Sequence, residues 1–349
     1  MLKVGVIGFG LAGRVFHAQV IRATDGLELA CILERHGSAA QEKYPDVRVA
    51  RTLEELLEDR EIRLCVIATP NRTHFDLAQR CMLAGRDVVV DKPLAVSSQE
   101  AAELIRIAEA NGRILSVFQN RRWDGDFLTV KKLLASARLG RVVEYESNWD
   151  RFRPLPRKGI WRESAEPGSG VLLDLGSHLI DQAMALFGAP RAIAADVRIE
   201  RDGAQADDAF DVRMHYAGFD VTLRTSLLAC APRPRFRIFG TQGSFVSERL
   251  DSQEARLRRG ETPDRPEWGI EPESEWGNLY TPSGDSIKAE KVKMEMGDFR
   301  GYYANIRDAI LKGAQLEVPA RDGLRTLRVT ELARSSSEQR CTLLFDNID

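Results

Sequence analysis

Apolar residues concentrate in short runs at Leu2–Ile7, Leu27–Leu33, 64–68, 88–90 and 114–118. Runs this short, bounded by polar or glycine positions, predict strands buried on both faces. Between them the apolar spacing is helical: through about Arg22, around Leu53–Glu58, over 74–84, and at Ala101, Leu104, Ile105 and Ala108. Gly85 suits a helix C-terminus. Ser97–Glu100 reads as a capping box, and Asn111-Gly112 closes the helix that it opens. Strand and helix alternate, which predicts a parallel sheet covered by helices on both faces.

The pattern changes after Asn120. Val143, Tyr145, Ser147 and Trp149 alternate with polar residues, as do Phe210, Val212, Met214 and Tyr216, and Val221, Leu223, Thr225 and Leu227. Period two predicts a largely antiparallel sheet with one face in a core. A helix over 172–187 precedes the later strands and stops at Gly188 and Pro190. The expected fold class is α/β: an N-terminal doubly wound parallel sheet over 1–120, then an α+β domain with an open sheet over 121–349. Residues 251–286 read as a long irregular excursion. Its tryptophans, Trp268 and Trp276, predict packing on this chain or on a partner subunit, against the alternative of a mobile surface segment.

The turn after the first strand is Gly8-Phe9-Gly10-Leu11-Ala12-Gly13, or G-x-G-x-x-G, followed by a helix. A second strand ends at Glu34, some twenty residues on. Strand, glycines, helix and acid together form the dinucleotide fingerprint of a Rossmann domain. Gly8 permits the tight turn, Gly10 lets backbone approach a pyrophosphate, and Gly13 allows close helix packing. Ligands of such sheets bind outside the carboxyl ends of the strands. Ala68, Thr69, Pro70 and Asn71 follow one strand, and Asp91, Lys92 and Pro93 follow the next. Both loops should face the nicotinamide half of the cofactor, which places Lys92 where a hydride moves.

The stretch 168–181 concentrates further chemistry. Asp174 and His178 stand four apart, one helix face, with Asp181 close to the same face. A carboxylate can orient an imidazole as a general base for a hydroxyl proton. The alternative is a helix-terminal acid and a capping or surface histidine. Gly176 costs a helix about 1 kcal/mol against alanine, which a close approach would explain. Arg151, Arg153, Arg157, Lys158 and Trp161 form a basic, aromatic loop before this helix: a solvated loop, or the roof of a pocket in which Trp161 meets substrate. His17 and His74 read as structural or capping residues, with lining the cofactor site a second option for His74.

Composition limits the rest. The 349 residues have a net charge of -2, 43% hydrophobic and 29% charged residues. That balance gives no reason to expect nucleic acid or an anionic membrane as partner. The five cysteines, Cys31, Cys65, Cys81, Cys230 and Cys341, include no C-x-x-C pair and read as buried thiols of a reducing compartment. No run approaches the roughly 18 apolar residues of a membrane helix. The N-terminus has no cleavable signal pattern, so a cytoplasmic protein is expected. No cysteine–histidine spacing suggests zinc.

GFGLAG, ATPN-x-x-H (68–74), the strand-end DKP and GSG-x3-D-x-G-x-H together resemble the Gfo/Idh/MocA oxidoreductases, over nearly the whole chain. The usual triplet there is Glu-Lys-Pro; Asp91 is shared with a subgroup that residues 118–127 and 150–154 also resemble. That subgroup includes NADP-dependent scyllo-inositol dehydrogenases. The resemblance implies an NAD(P)-dependent enzyme acting on a polyol, inositol or sugar. It implies that Lys92 stands near the nicotinamide and the substrate hydroxyl, that His178 is the acid/base and Asp174 its partner, that Pro93 follows a peptide often cis, and that Asn120 lies near the nicotinamide. A plain turn asparagine is the alternative for Asn120. It also implies a homodimer or homotetramer formed through the second domain. At the adenine end, Glu34 favours NAD, whereas Arg35 and His36 can hold a 2′-phosphate; both cofactors are expected, NADP slightly preferred. Alternatives are transfer between sugars on a retained cofactor and a non-catalytic dinucleotide-sensing regulator.

Overall fold

The run Leu2–Ile7 (β1) lies at the middle of a six-stranded sheet in which every pairing is parallel. The others are Leu27–Leu33 (β2), Arg48–Ala50 (β3), Ile62–Ile67 (β4), Asp87–Val90 (β5) and Leu115–Val117 (β6), in the order β3-β2-β1-β4-β5-β6. The computed structural model describes residues 1–157 and 159–346. β4 and β5 are buried almost throughout, as their composition requires. The capping box forms: Ser97 Oγ accepts the Glu100 N–H at 3.2 Å, and Glu100 accepts the N–H of Val96 at 3.3 Å. A methyl group on Gly13 would lie 2.0 Å from the Gly8 carbonyl oxygen. Only glycine lets the first helix pack this close to the turn.

The second sheet has nine strands: Val142–Asn148 (β7), Ala192–Arg198 (β8), Ala209–Tyr216 (β9), Phe219–Ser226 (β10), Phe236–Gly240 (β11), Ser244–Ser247 (β12), Gly277–Ser283 (β13), Ser286–Val292 (β14) and Leu343–Leu344 (β15). Their order is β14-β13-β12-β11-β7-β10-β9-β8-β15. β7 and β10 run parallel, and the other pairings are antiparallel. Helix Ser177–Phe187 packs Leu179, Ile180 and Ala183 into one core with Tyr145, Phe210, Val212, Met214 and Leu223 of the strands. Each buried leucine or phenylalanine there contributes about 1.5–3 kcal/mol. A methyl on Gly176 would meet the Phe210 ring at 3.1 Å, so the close approach expected there is to the sheet.

Two compact units result. One holds Met1–Trp123, Ser252–Trp268 and Asp298–Leu324; the other holds Asp124–Asp251, Gly269–Gly297 and the chain from Arg325. The excursion 251–286 is less irregular than its composition suggests, since it contains helix Gln253–Arg258 and β13. Trp268 is buried on its own chain and donates to Gln253 Oε1 at 3.0 Å; Trp276 donates to the Glu271 carbonyl at 3.0 Å. Cys31, Cys65 and Cys81 are buried, but Cys230 and Cys341 are exposed, against the expectation for all five. Both lie outside the regular strands and helices, where no core forms around them. Among the described residues no helix is long and apolar enough to cross a membrane.

Two buried polar contacts hold the parts that matter for function. In the first unit His74 is fully buried between two strand-end loops. Its Nδ1 lies 2.8 Å from the Pro93 carbonyl oxygen and its Nε2 lies 3.0 Å from that of Thr69. In the second unit Arg235 is buried and donates to Asp126 at 3.0 Å and to Gln182 Oε1 at 2.7 Å, with Ser147 Oγ a third acceptor at 2.5 Å.

Each contact has a measurable consequence. Burial pushes the His74 pKa below its ordinary value, against the pull of Asp91 and of both carbonyls. The unfolded chain therefore binds the proton at a higher pH than the native one. The resulting stability is complete above the ordinary value of 6.5 and is lost as the pH falls through it toward the depressed one. Urea midpoints should thus drop further between about pH 7.5 and about pH 5.5 for the wild type than for His74→Gln; equal drops would contradict this. Asp126→Ala leaves Arg235 buried without its carboxylate and should cost about 3–5 kcal/mol in urea unfolding, much of it recovered in Asp126→Leu/Arg235→Met.

Candidate active site

In the first unit β1, β4 and β5 are neighbours, and their carboxyl ends carry the loops expected to bind cofactor. The sheet order reverses beside β1, where α/β sheets open a crevice. Gly8–Gly13 follows β1, 68–71 follows β4, Asp91 and Lys92 follow β5, and Asn120 lies just past β6. The Gly8 turn lies against the next loop: a methyl there would meet the Ala68 carbonyl at 2.8 Å. Gly10 faces open space, with nothing within 4 Å of a methyl placed on it. That gap at the start of a helix suits a pyrophosphate drawn to backbone N–H groups, so the turn fits a dinucleotide. Leu11 is exposed beside it, and Phe9 is buried edge-on to Tyr44 at 6.0 Å. The helix opens with a wide π-helical stretch, Ala12–His17, in which the Ala18 N–H reaches back to the Gly13 carbonyl.

At the far end of the loop system Glu34 is half-buried and its Oε2 accepts the Ala40 N–H at 3.2 Å. One oxygen of its carboxylate thus meets the start of helix Ala39–Lys43, and the other keeps its capacity to accept. Arg51 donates to the Glu34 and Gly37 carbonyls at 2.7 and 2.9 Å and braces the loop. Arg35 and His36 are exposed on it.

Lys92 is half-buried, and the Lys92–Pro93 peptide is cis. Its backbone N–H donates to Asp91 Oδ1 at 2.9 Å. Asp91 is buried. Burial pushes its carboxyl up, but His17, Lys92 and His74 outweigh this and hold it below the usual carboxylate range. His17 Nε2 lies 3.8 Å from Asp91 Oδ1, too far for a hydrogen bond, while its Nδ1 meets the Tyr303 hydroxyl at 2.6 Å. Ala68, Asn71 and Asn120 are buried, Thr69 is half-buried and Pro70 exposed. His74 thus lies between the Thr69 and Pro93 carbonyls beside Lys92, whereas the hydrogen bond of His17 goes to Tyr303.

In the second unit Asp207 sets the start of the functional helix. Its Oδ2 accepts the Leu172 N–H at 2.8 Å, and Arg334 pairs with Oδ1 at 2.6 Å. The glycine turn before it is obligatory, because a methyl on Gly170 would lie 2.0 Å from Asp207 Oδ1. The chain then makes a π-helical turn, Leu172–Gly176, before regular helix resumes at Ser177. Asp174 lies in this π-helical turn and His178 in the regular helix after it, and four residues of either period bring side chains close to one face. Asp174 is half-buried and lies 3.4 Å from Arg162 Nε. His178 is buried, with its ring 5.9 Å from that of Trp149 at 31°. Arg151 stands 5.4 Å from the Trp149 ring. Gln182, one helical turn beyond His178, is the residue that Arg235 holds. Asp181 is buried as well. Trp161 is half-buried under the Arg162 guanidinium at 4.5 Å, and its carbonyl accepts from Ser169 Oγ at 2.7 Å. Lys158 lies outside the described residues.

Sequence reading missed Arg162, Arg235 and the bracing part of Trp149. Only Trp149 carried a usable signal, as an aromatic at the end of an alternating strand. Among the described residues no group of three or more His, Cys, Asp or Glu side chains is arranged to hold a metal ion.

Comparison with known proteins is consistent along the whole chain. The model of an oxidoreductase family's NAD-binding Rossmann fold, GFO_IDH_MocA, matches residues 2–119, and that of its C-terminal alpha/beta domain matches residues 131–343. The uncharacterized oxidoreductase YdgJ of Escherichia coli (strain K12) is 42% identical over 98% of both chains. The scyllo-inositol 2-dehydrogenase (NADP(+)) IolW of Bacillus subtilis (strain 168) is 35% identical over 99% of this chain and 96% of its own. The crystal structure of an oxidoreductase from Bacillus cereus superposes with a TM-score of 0.91 at 30% identity, covering 100% of both chains. With its dinucleotide turn, its paired domains and these relatives, the chain belongs to the Gfo/Idh/MocA family and is an NAD(P)-dependent oxidoreductase.

Proposed function

We propose that the protein oxidises a secondary alcohol of a polyol, inositol or sugar to the ketone, or runs the reverse reaction, with NADP slightly preferred over NAD. One observation carries the reading: the dinucleotide turn after β1 and Lys92 after β5 both flank the end of β4. Those two ends stand two strand spacings apart, about 10 Å, which supports a lysine facing the nicotinamide half of a dinucleotide held by the turn. The name of IolW, an inositol dehydrogenase using NADP, supports the substrate class and the cofactor.

In the oxidative direction one proton and one hydride must leave the alcohol by separate routes. The hydroxyl proton goes to His178, whose orientation Asp174 sets. The carbon-bound hydrogen leaves with its electron pair, and the nicotinamide, when bound, accepts that hydride. Lys92 as ammonium offsets the negative charge that grows on the oxygen. Reduction reverses each transfer. Cofactor choice follows from Glu34. Its carboxylate serves the Ala40 N–H, which supports a ribose site whose free donors are those of Arg35 and His36. Arginine pairs a phosphate in bidentate fashion.

Lys92→Met should bind NADP with near-normal affinity and lose about 10²–10³-fold in kcat, because a charge facing the developing alkoxide is gone. A mutant with near-wild-type kcat on every substrate of a polyol and sugar panel would sink this role. Arg35→Ala should weaken NADP by about tenfold or more and NAD far less, since only NADP carries the phosphate. Fluorescence titration of both cofactors decides between this and a solvated arginine, for which the two losses are equal.

A further inference from the structure

His17 is a buried imidazole that the chemistry above does not use. It ends the wide helical stretch after the dinucleotide turn, in the same compact unit as Asp91, Phe118 and Tyr303. Its ring is fully buried, 4.3 Å from the Phe118 ring and edge-on to the Tyr303 ring at 6.2 Å. Nδ1 lies 2.6 Å from the Tyr303 hydroxyl, whereas Nε2 makes no hydrogen bond among the described residues. Asp91 Oδ1 stands beside Nε2 at 3.8 Å. Two hydrogen bonds of about 2.8 Å meeting at a water span roughly 4.5 Å, so this gap is too short for a bridging water.

The neighbours decide which nitrogen carries the hydrogen. Burial pushes the Tyr303 pKa well above its ordinary value, so its hydroxyl keeps its proton. His17 is the hydrogen-bond partner of that hydroxyl, and a buried hydroxyl proton needs an acceptor. Tyr303 therefore donates to Nδ1, which leaves the ring hydrogen on Nε2, the nitrogen beside Asp91. The carboxylate favours the same tautomer, because a bare Nε2 would turn its lone pair toward an anion. Asp91 Oδ1, the oxygen nearest to Nε2, is also the one that accepts the Lys92 backbone N–H at 2.9 Å.

We propose that Tyr303 fixes His17 as the Nε2–H tautomer and that this N–H steadies the Asp91 carboxylate, which makes His17 a positioning residue for Lys92; the inference rests on the dehydrogenase reading above. At 3.8 Å the N–H acts on the carboxylate as a dipole on a buried charge, and an approach of about 0.9 Å makes it a hydrogen bond. NMR of the imidazole nitrogens in isotope-labelled histidine tests the tautomer directly. His17, assigned by its absence in His17→Gln, should carry hydrogen on Nε2 and none on Nδ1, and Asp91→Asn should shift its Nε2 signal. Hydrogen on Nδ1, or an Nε2 signal that ignores Asp91→Asn, overturns the proposal. Kinetics with NADP test the consequence. His17→Asn has no donor at the Nε2 position and should lose about tenfold in kcat, with KM and the NADP Kd within about threefold of wild type. His17→Gln can place an amide N–H near that position and should recover most of the loss. In an Asp91→Asn background His17→Asn should cost nothing further, because the partner it acts through is gone. Equal losses in the Asn and Gln variants, or the full loss on top of Asp91→Asn, overturn the positioning role and leave His17 to the fold alone. If no polyol or sugar turns over in the wild type, the dehydrogenase reading falls, and the nitrogen signals still decide the tautomer and its tie to Asp91.

Discussion

A charged side chain is costly inside a strand buried on both faces and cheap where that strand ends. This constraint governs the first unit. β5 is apolar through Val88, Val89 and Val90, all fully buried, and polarity begins at once with Asp91 and Lys92. β4 does the same through Ile67, and the loop after it brings Thr69 and Asn71. Parallel pairing puts these ends side by side. Charged chemistry collects on one edge of the sheet because a charge in the buried interiors before it would go unpaired, while the polar Ser116 inside β6 is satisfied by Tyr302 and the Val318 carbonyl.

The second unit meets the same cost in another way. Its sheet has one face in a core, yet the helix that bears His178 also needs polar support from below. Arg235 provides it as a fully buried cation matched by Asp126, Ser147 and Gln182. Such a pair gains little stability over apolar residues of the same shape, but breaking it is expensive. Its use here is positional: it holds Gln182 and supports the Trp149 ring, at 5.9 Å, against which His178 lies.

Legibility in the sequence followed how local each signal was. The glycine turn, the strand ends and the capping box depend on neighbours within a few residues, and each formed. Asp174 and His178 were legible as types and as a resemblance, but the π-helical turn between Leu172 and Gly176 was not, since no residue pattern announces one. Arg235 was hidden for a related reason. Alternation from Phe236 and Ile238 turns Arg235 outward with Arg237, whereas the chain ahead of β11 buries both Arg235 and Phe236. β14 was illegible because its residues are mostly exposed and charged, so it has no apolar face to show. Trp268 was read as a contact of uncertain owner. Its partner Gln253 lies only fifteen residues away, within a helix too short to stand out.

An acid before the strand-end lysine has a physical reason. A carboxylate as buried as Asp91 should resist ionisation, yet the surrounding His17, Lys92 and His74 keep it anionic. An anion there can do two things that a neutral group cannot do as well. It accepts the Lys92 backbone N–H in a charge-assisted bond, which fixes where the lysine leaves the strand. It also balances the ammonium before substrate arrives, so the loop is not driven apart by its own uncompensated charge. Two buried histidines complete this arrangement, His74 between the Pro93 and Thr69 carbonyls, one of which its neutral ring can donate to, and His17 with its Nε2 3.8 Å from Asp91. The lysine's backbone is thus fixed where it leaves the strand, which supports the role proposed above for its ammonium group.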